Sequence, residues 1–204
     1  MFKKLFMITL LVLSACSTIK DEPLPITSNS EKAVEFYKIG VMHWEQSEWT
    51  EASNNFNSAL RIDPNFVLAN LYALESDPQQ RRKYRQTAIN NKSGVADAER
   101  IQVEMWEAQR DGQSSKRLEL AKELAEKYSK SSMAHVWLGN VYTSQYMFDE
   151  AITSYKTATK INPDQFNAWR ELAKHHVVVG NNLMLPKERQ DKDLVLKYTE
   201  EMIR

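Results

Sequence analysis

One spaced set of five residues occurs twice in this chain and limits its fold more than any other feature. Each set holds a glycine, an alanine, an aromatic residue, a second alanine and a proline, separated by 12, 4, 3 and 5 positions. The sets are Gly40, Ala52, Phe56, Ala59 and Pro64, and Gly139, Ala151, Tyr155, Ala158 and Pro163. Small residues let two helices approach closely, and the proline ends the second helix. We therefore predict two antiparallel helix pairs, 99 positions apart.

Hydrophobic spacing supports these pairs. Phe36, Ile39, Gly40 and His43 recur at the spacing of one helix face, and Asp63-Pro64-Asn65 marks a turn. The second set predicts helices near 132–146 and 149–161. A lone helix pair leaves an apolar face uncovered, so stacking of several pairs is expected.

This pattern resembles the tetratricopeptide repeat (TPR), a helix-turn-helix unit of 34 residues. Residues 33–66 and 132–165 match nearly all of its preferred positions. The resemblance implies an all-α, right-handed solenoid of antiparallel helix pairs over 31–204, with about five units. Residues 67–93 and 94–131 are predicted to be degenerate units, and 166–204 a partial or terminal one.

The last unit leaves two alternatives open. Its final helix, predicted at about 187–204, has four apolar residues that would seal the end of the solenoid by turning inward. These are Leu194, Leu196, Tyr198 and Met202. Alternatively, the sequence is a fragment of a longer protein.

The N-terminus has the layout of a secretory leader. Lys3 and Lys4 precede an apolar run over 5–13, which is too short to span a bilayer. The run leads to Leu13-Ser14-Ala15-Cys16, which resembles the lipobox of bacterial lipoproteins. That resemblance implies cleavage of residues 1–15 and acylation of Cys16; the alternative is an ordinary signal peptide with a buried cysteine.

Residues 16–30 are polar, contain two prolines and have no apolar period. We expect a flexible tether that holds the folded part off the membrane. Ser17, which follows the predicted acylation site, is not aspartate. By analogy with enteric bacteria this favours the outer membrane of the cell envelope, and we expect the periplasmic face rather than the cell surface.

Composition and motifs exclude several functions. The 27 basic and 27 acidic residues balance, so nucleic-acid binding through a basic surface is not expected. The sequence has no nucleophile motif, phosphate-binding glycine loop or cluster of metal ligands, which predicts a protein that is not an enzyme and has no cofactor or metal. Since Cys16 is the single cysteine, no disulfide is expected.

The TPR resemblance implies that the first helix of each unit lines an inner groove. The groove candidates are Tyr37, Val41, Trp44, Val136, Trp137, Asn140, Arg170 and Lys174. Asn140, Arg170 and Lys174 resemble part of the carboxylate clamp of chaperone-binding TPR proteins; alternatively, Arg170 pairs with Glu171 or solvent. The basic run at 81–85 is either a patch for lipid or a partner, or a solvated helix face.

These features together predict a membrane-anchored envelope lipoprotein whose groove binds a protein or peptide, as an adaptor or assembly scaffold. Two alternatives stay open at this point. One is the N-terminal regulatory region of a longer enzyme, and the other is an envelope lipoprotein that binds a small ligand or glycan.

Overall fold

A computed structural model describes residues 20–176 and 189–204 of the chain. Within these ranges the protein is all-α, and a short 3-10 helix lies at Lys92–Gly94. No helix in the described ranges is long and apolar enough to cross a bilayer. The predicted leader and Cys16 lie outside these ranges, as do residues 187 and 188 of the final helix predicted at about 187–204.

The helices of the described ranges follow the predicted pairs. Their bounds are α1 Glu31–Glu45, α2 Trp49–Ile62, α3 Val67–Tyr72, α4 Pro78–Asn91, α5 Asp97–Arg110, α6 Ser114–Lys127, α7 Ser132–Ser144, α8 Phe148–Ile161, α9 Phe166–His176 and α10 Lys192–Ile203. Consecutive helices pack as pairs, with α1 on α2, α3 on α4, α5 on α6, α7 on α8 and α9 on α10. The all-α fold of stacked helix pairs predicted from the sequence is confirmed.

Side chains at the helix ends explain several of these bounds. The Ser30 hydroxyl accepts a hydrogen bond from the backbone N–H of Ala33 and so caps α1. Asp77 caps α4 in the same way, and Pro78 occupies its first turn, where a missing N–H costs nothing. Asp191 caps α10 by accepting from two backbone N–H groups.

The two five-residue sets form tight contacts between the helices of their pairs. A Cβ atom added at Gly40 would lie 2.7 Å from the Phe56 ring, and one added at Gly139 would lie 2.5 Å from the Tyr155 ring. Both aromatic rings are fully buried, as are the four alanines of the sets. The predicted packing role of these residues is confirmed.

Of the two middle units, only α3–α4 differs from the regular ones in helix length. Helix α3 has six residues, so it makes a short first helix for the pair α3–α4. The pair α5–α6 turns at Gly112, whose φ of 69° is a left-handed conformation that glycine adopts without strain. Apolar residues at helical spacing on α5, such as Ile101 and Met105, meet Leu124 of α6 in one core, as the sequence predicts.

The final helix covers α9 with three of the four predicted residues. Leu194, Tyr198 and Met202 pack against the core of α7, α8 and α9. Leu196 is 61% exposed, so its predicted inward orientation is wrong. Residues 194, 198 and 202 recur every fourth position and share one helix face, whereas position 196 lies on the opposite face.

Residues 20–30, called the N-terminal segment below, differ from the flexible tether expected over 16–30. The backbone N–H of Glu22 donates to the Lys130 carbonyl at 3.0 Å, and that of Thr27 donates to the Glu99 carboxylate at 2.9 Å. The Asp21 carboxylate accepts from the backbone N–H of Ser132 at 2.9 Å. The segment is therefore hydrogen-bonded along the turns between units instead of extending into solvent.

Two apolar residues hold the same segment from within. Ile26 packs against the core of α1–α4, and Leu24 packs against the core of α5–α7. At the far end of the segment, the Asp63 carboxylate accepts from the Ser28 hydroxyl at 2.7 Å and from the Asn29 N–H at 3.0 Å. The segment thus spans the solenoid from the start of α7 to the end of α2.

Candidate functional site

A cavity of about 270 Å³ lies between the first helices of the units, and the N-terminal segment forms part of its wall. Its lining is mostly apolar and aromatic, which is typical of a site that binds a side chain or small apolar group. The lining residues are Asp21, Pro23, Leu24, Ile26, Tyr37, Lys38, Val41, Trp44, Glu45, Phe56, Leu68, Tyr72, Gln102, Ser131, Ser132, Met133, Trp137 and Gln165. We call it the groove cavity.

Aromatic rings from three helices form one side of the groove cavity. The Tyr72 ring centroid lies 6.2 Å from that of Trp44 and 6.1 Å from that of Trp137. The Tyr72 hydroxyl donates to the Gln102 side-chain carbonyl at 2.9 Å, which fixes the ring. Helices α1, α3 and α7 therefore meet through aromatic side chains at the centre of the concave face.

Two polar side chains of the groove cavity have no hydrogen-bond partner among the described residues. They are the hydroxyl of Ser131, which is 1% exposed, and the amide nitrogen of Gln165, which is 8% exposed. Leaving a buried polar group unpaired costs about 1–3 kcal/mol, so such groups are unusual in a finished core. Both atoms belong to residues that line the groove cavity.

The structure places four of the predicted groove residues in the groove cavity. Tyr37, Val41 and Trp44 line it from α1, and Trp137 lines it from α7. Tyr37 is 5% exposed and packs on Phe56, so it supports the wall more than it offers surface.

Val136 and Asn140 do not line the groove cavity. Val136 is 2% exposed and packs in the core with Tyr155, and the Asn140 side-chain oxygen accepts from the Tyr155 hydroxyl at 2.9 Å. These positions are four apart and face the second helix of the pair, whereas Met133 and Trp137, also four apart, face the cavity. The prediction for Val136 is wrong because α7 presents a different face to the groove.

Arg170 and Lys174 both pair with the Glu171 carboxylate within the protein. The Lys174 ammonium donates to both carboxylate oxygens of Glu171, at 3.0 and 2.9 Å, and the Arg170 Nε donates to the same carboxylate at 3.3 Å. The alternative in which Arg170 pairs with Glu171 is therefore the observed one. The two cations and Asn140 do not form an open clamp.

Arg170 also joins the two ends of the solenoid. Its guanidinium donates to the backbone carbonyl of Glu45 at the end of α1, so α9 contacts α1 across the concave face. Burial raises the pKa of the Glu45 carboxyl to about 7, although nearby Arg170 and a hydrogen bond from Asn167 oppose that change. This contact limits the width of the groove at its end.

A second cavity, of about 180 Å³, shares Trp44, Tyr72, Gln102 and Trp137 with the groove cavity. Its other lining residues are Leu71, Leu74, Arg85, Met105, Trp106, Gln109 and Arg117. We call it the arginine cavity, because α4 and α6 each contribute a guanidinium. Sequence analysis placed Arg85 in a basic run without predicting a cavity, and no pattern singled out Arg117.

The two arginines are held by neutral partners. Arg85 donates to the Asn70 carbonyl at 2.8 Å, and Arg117 donates to the Ser144 hydroxyl at 3.0 Å. Burial lowers the pKa of both guanidinium groups. The Arg85 guanidinium also lies 5.7 Å from the centre of the Trp106 ring, within the range of a cation–π contact.

The described part of the chain contains no candidate metal site. Among residues 20–176 and 189–204, no group of three or more histidine, cysteine, aspartate or glutamate side chains converges on one point.

Comparison with known families finds one match. Residues 134–177 match the family model of the TPR repeat, which covers most of the second regular unit and the start of the next. No curated protein sequence matches the chain.

Three solved structures align with this chain at 14% sequence identity. YrrB, described as a TPR protein with an unusual peptide-binding site, aligns over 86% of this chain and 87% of its own with a TM-score of 0.44. A structure described as MamA AMB-1 aligns over 84% of this chain and 90% of its own with a TM-score of 0.41. A point mutant of MamA aligns over 84% of this chain and 95% of its own, also with a TM-score of 0.41.

Proposed function

We propose that this protein is a membrane-anchored envelope lipoprotein that acts as an adaptor or assembly scaffold by binding a protein or peptide in the groove cavity. The observation that carries the proposal is the groove cavity itself. It joins an aromatic wall to two buried polar groups that have no partner among the described residues. The TPR match at 134–177 supports a role in recognition.

The chemistry of the groove cavity suits a peptide side chain. Aromatic residues such as Trp44, Tyr72 and Trp137 are the type that dominates the energy of protein interfaces, because they bury large areas at little entropic cost. A peptide backbone next to the inserted side chain would offer a carbonyl to the Gln165 amide nitrogen, which donates, and an N–H group to the Ser131 hydroxyl. Such pairing removes the cost of leaving those two groups buried and unpaired.

The membrane anchor rests on the sequence around Cys16. We propose that the leader is cleaved after residue 15 and that Cys16 carries acyl chains, which would hold the protein at the outer membrane. Several chains are needed for stable attachment, since a single one binds only marginally. The substitution Cys16→Ser should move the protein from the membrane fraction to the soluble fraction, and a protein that stays in the membrane would contradict the anchor.

Site-specific photocrosslinking in the native cell tests the groove. A photoreactive phenylalanine at Met133, which lines the groove cavity, should capture a defined partner. The matched control places the same residue at Met42, which is 46% exposed and does not line that cavity. Absence of a captured protein at Met133, or the same pattern at both positions, would contradict recognition in the groove.

A further inference from the structure

The arginine cavity holds two positive charges that the described residues do not neutralise. The guanidinium groups of Arg85 and Arg117 each have a neutral hydrogen-bond partner, and neither forms an ion pair with a described carboxylate. Other half-buried arginines of the chain are paired. Arg100 contacts Asp97 and Glu104, and Arg170 contacts Glu171.

This arrangement is costly unless an anion completes it. Partial burial removes water from a charged group, and an acidic partner is the usual compensation in proteins. Burial is the largest influence on the pKa of Arg85 and of Arg117, and no carboxylate opposes it for either. Arginine stays charged even so, because a guanidinium is not deprotonated in proteins.

We infer that a carboxylate of the bound peptide occupies the arginine cavity and accepts hydrogen bonds from Arg85 and Arg117. The inference rests on the proposed function, since it assigns a chemical class to the ligand of the same concave face. Guanidinium groups bind carboxylates with paired N–H donors, which makes arginine the residue best suited to this contact.

The position of the arginine cavity defines the ligand further. It shares Trp44, Tyr72 and Trp137 with the groove cavity, so the two cavities adjoin at one aromatic wall. A single short peptide can therefore place an apolar side chain in the groove cavity and a carboxylate in the arginine cavity. The carboxylate belongs to an acidic side chain or to a free C-terminus.

Three short peptides test the inference and distinguish the two sources. Acetyl-Leu-Glu-amide carries a side-chain carboxylate, acetyl-Gly-Leu carries a terminal one, and acetyl-Leu-Gln-amide is the neutral control. They are titrated against the full chain in a neutral detergent, and tryptophan fluorescence is measured because Trp44, Trp106 and Trp137 line the arginine cavity. At least one acidic peptide should give a saturable change at roughly millimolar concentration, as expected for a ligand of this size.

Substitutions assign that change to the two arginines. Arg117→Gln and Arg85→Gln should each weaken binding of the acidic peptide by about tenfold or more, because each removes a charge-assisted hydrogen bond. The matched controls are Lys116→Gln and Arg82→Gln, exposed neighbours on the same helices that do not line the cavity. Arg85 also holds the Asn70 carbonyl, so Arg117→Gln decides the outcome if Arg85→Gln fails to fold.

Three results would overturn the inference. They are an equal response to the neutral peptide, the absence of a saturable response to both acidic peptides, and an unchanged affinity in Arg117→Gln. Failure of the proposed function looks different. In that case the acidic peptides bind as described, while crosslinking at Met133 captures no partner in the cell.

Discussion

The first and fourth units have the same packing but different chemistry. In both, a glycine of the first helix lies against an aromatic ring of the second, Gly40 on Phe56 and Gly139 on Tyr155. The 99-position offset pairs the residues around these rings one to one. Val41 and Trp44 in the first unit correspond to Asn140 and Thr143 in the fourth.

The polar residues of the fourth unit form a network that the first unit lacks. The Tyr155 hydroxyl donates to Asn140 and lies 3.1 Å from the Thr143 hydroxyl. Thr143 in turn lies 3.2 Å from Nε2 of the fully buried His175, whose Nδ1 contacts the Glu171 carbonyl at 2.6 Å. In the first unit Val41 and Trp44 line the groove cavity instead. Corresponding positions thus keep the same place in the packing of both units. Their chemistry differs, because they line the groove cavity in the first unit and join a polar network in the fourth.

The largest expected effect comes from filling the glycine contacts. Gly139→Ala should lower the free energy of unfolding by about 3 kcal/mol, and Gly40→Ala by somewhat less, because a methyl group overlaps each buried ring. Helix propensity alone would make each alanine variant more stable by about 1 kcal/mol. A loss of stability would therefore be due to the steric overlap with the ring. Urea denaturation measures both variants.

Gly94→Ala is the control for these two substitutions. A Cβ atom at position 94 has no neighbour within 4 Å, and the residue has no left-handed φ. The substitution should leave the stability of the protein nearly unchanged. A stable Gly139→Ala variant would show that the Tyr155 ring can move aside and that the close contact is not required.

Exchanging the aromatic residues tests the chemical difference between the units. Phe56→Tyr places a hydroxyl near Val41 and Trp44, which lack the acceptors of the fourth unit, and should cost about 2 kcal/mol of stability. The double substitution Val41→Asn with Phe56→Tyr should recover about half of that loss. Thermal unfolding of the single and double variants measures these losses. If the losses of the two single variants simply add in the double variant, the one-to-one correspondence between the two units is contradicted.

The reciprocal substitution should have a smaller effect. Tyr155→Phe keeps the ring and removes the hydroxyl, so the cost is about 1 kcal/mol from the lost hydrogen bond to Asn140. Chemical denaturation measures the stability of Tyr155→Phe. The control is Tyr142→Phe, a substitution at a half-buried tyrosine of α7. Equal stability of Tyr155→Phe and the unmodified protein would mean that the polar network contributes nothing.

The smallest expected effect concerns pH. Burial lowers the pKa of His175, so the unfolded chain binds a proton more readily than the folded protein does. The contribution of neutral His175 to stability is present above the unfolded pKa of about 6.5 and is lost as pH falls from there toward the lower folded pKa.

Substitution of His175 checks this pH dependence. The difference in stability between the unmodified protein and His175→Gln should shrink, by on the order of 1 kcal/mol, between pH 7 and pH 5. Urea denaturation midpoints at several pH values measure it. Parallel pH curves for the two proteins would exclude His175 as the titrating group.

The repeat units were predictable because their signals are local. Glycine, alanine and proline at fixed spacing define the helix pairs, and α10 follows from a helical pattern as well. The groove residues were assigned by transfer of repeat positions; of these, Trp44 lies in the lining of the groove cavity, whereas Val136 is buried in the core. Which face of a helix lines the groove depends on the curvature between neighbouring units. That curvature cannot be read from a single sequence.

The N-terminal segment was not predictable because its partners are remote in sequence. Asp21 contacts Ser132, 111 positions away, and Thr27 contacts Glu99, 72 positions away. Polar composition and two prolines are typical of flexible linkers. The same features are compatible with a segment that forms hydrogen bonds to the turns between helices. Arg117 was missed for a related reason, since its importance depends on Arg85 and Trp106 meeting it in space.

The fixed position of Asp21 has a consequence for orientation at the membrane. Asp21 follows the proposed anchor at Cys16 by five positions, and an extended chain spans at most about 3.3–3.6 Å per residue, or roughly 17 Å in all. The hydrogen bonds from Ser132 and Asn162 to Asp21 would then keep the edge of the helical body near the lipid headgroups. An anchor this short would limit the distance between the helical body and the bilayer, so a partner would meet the concave face close to the membrane surface.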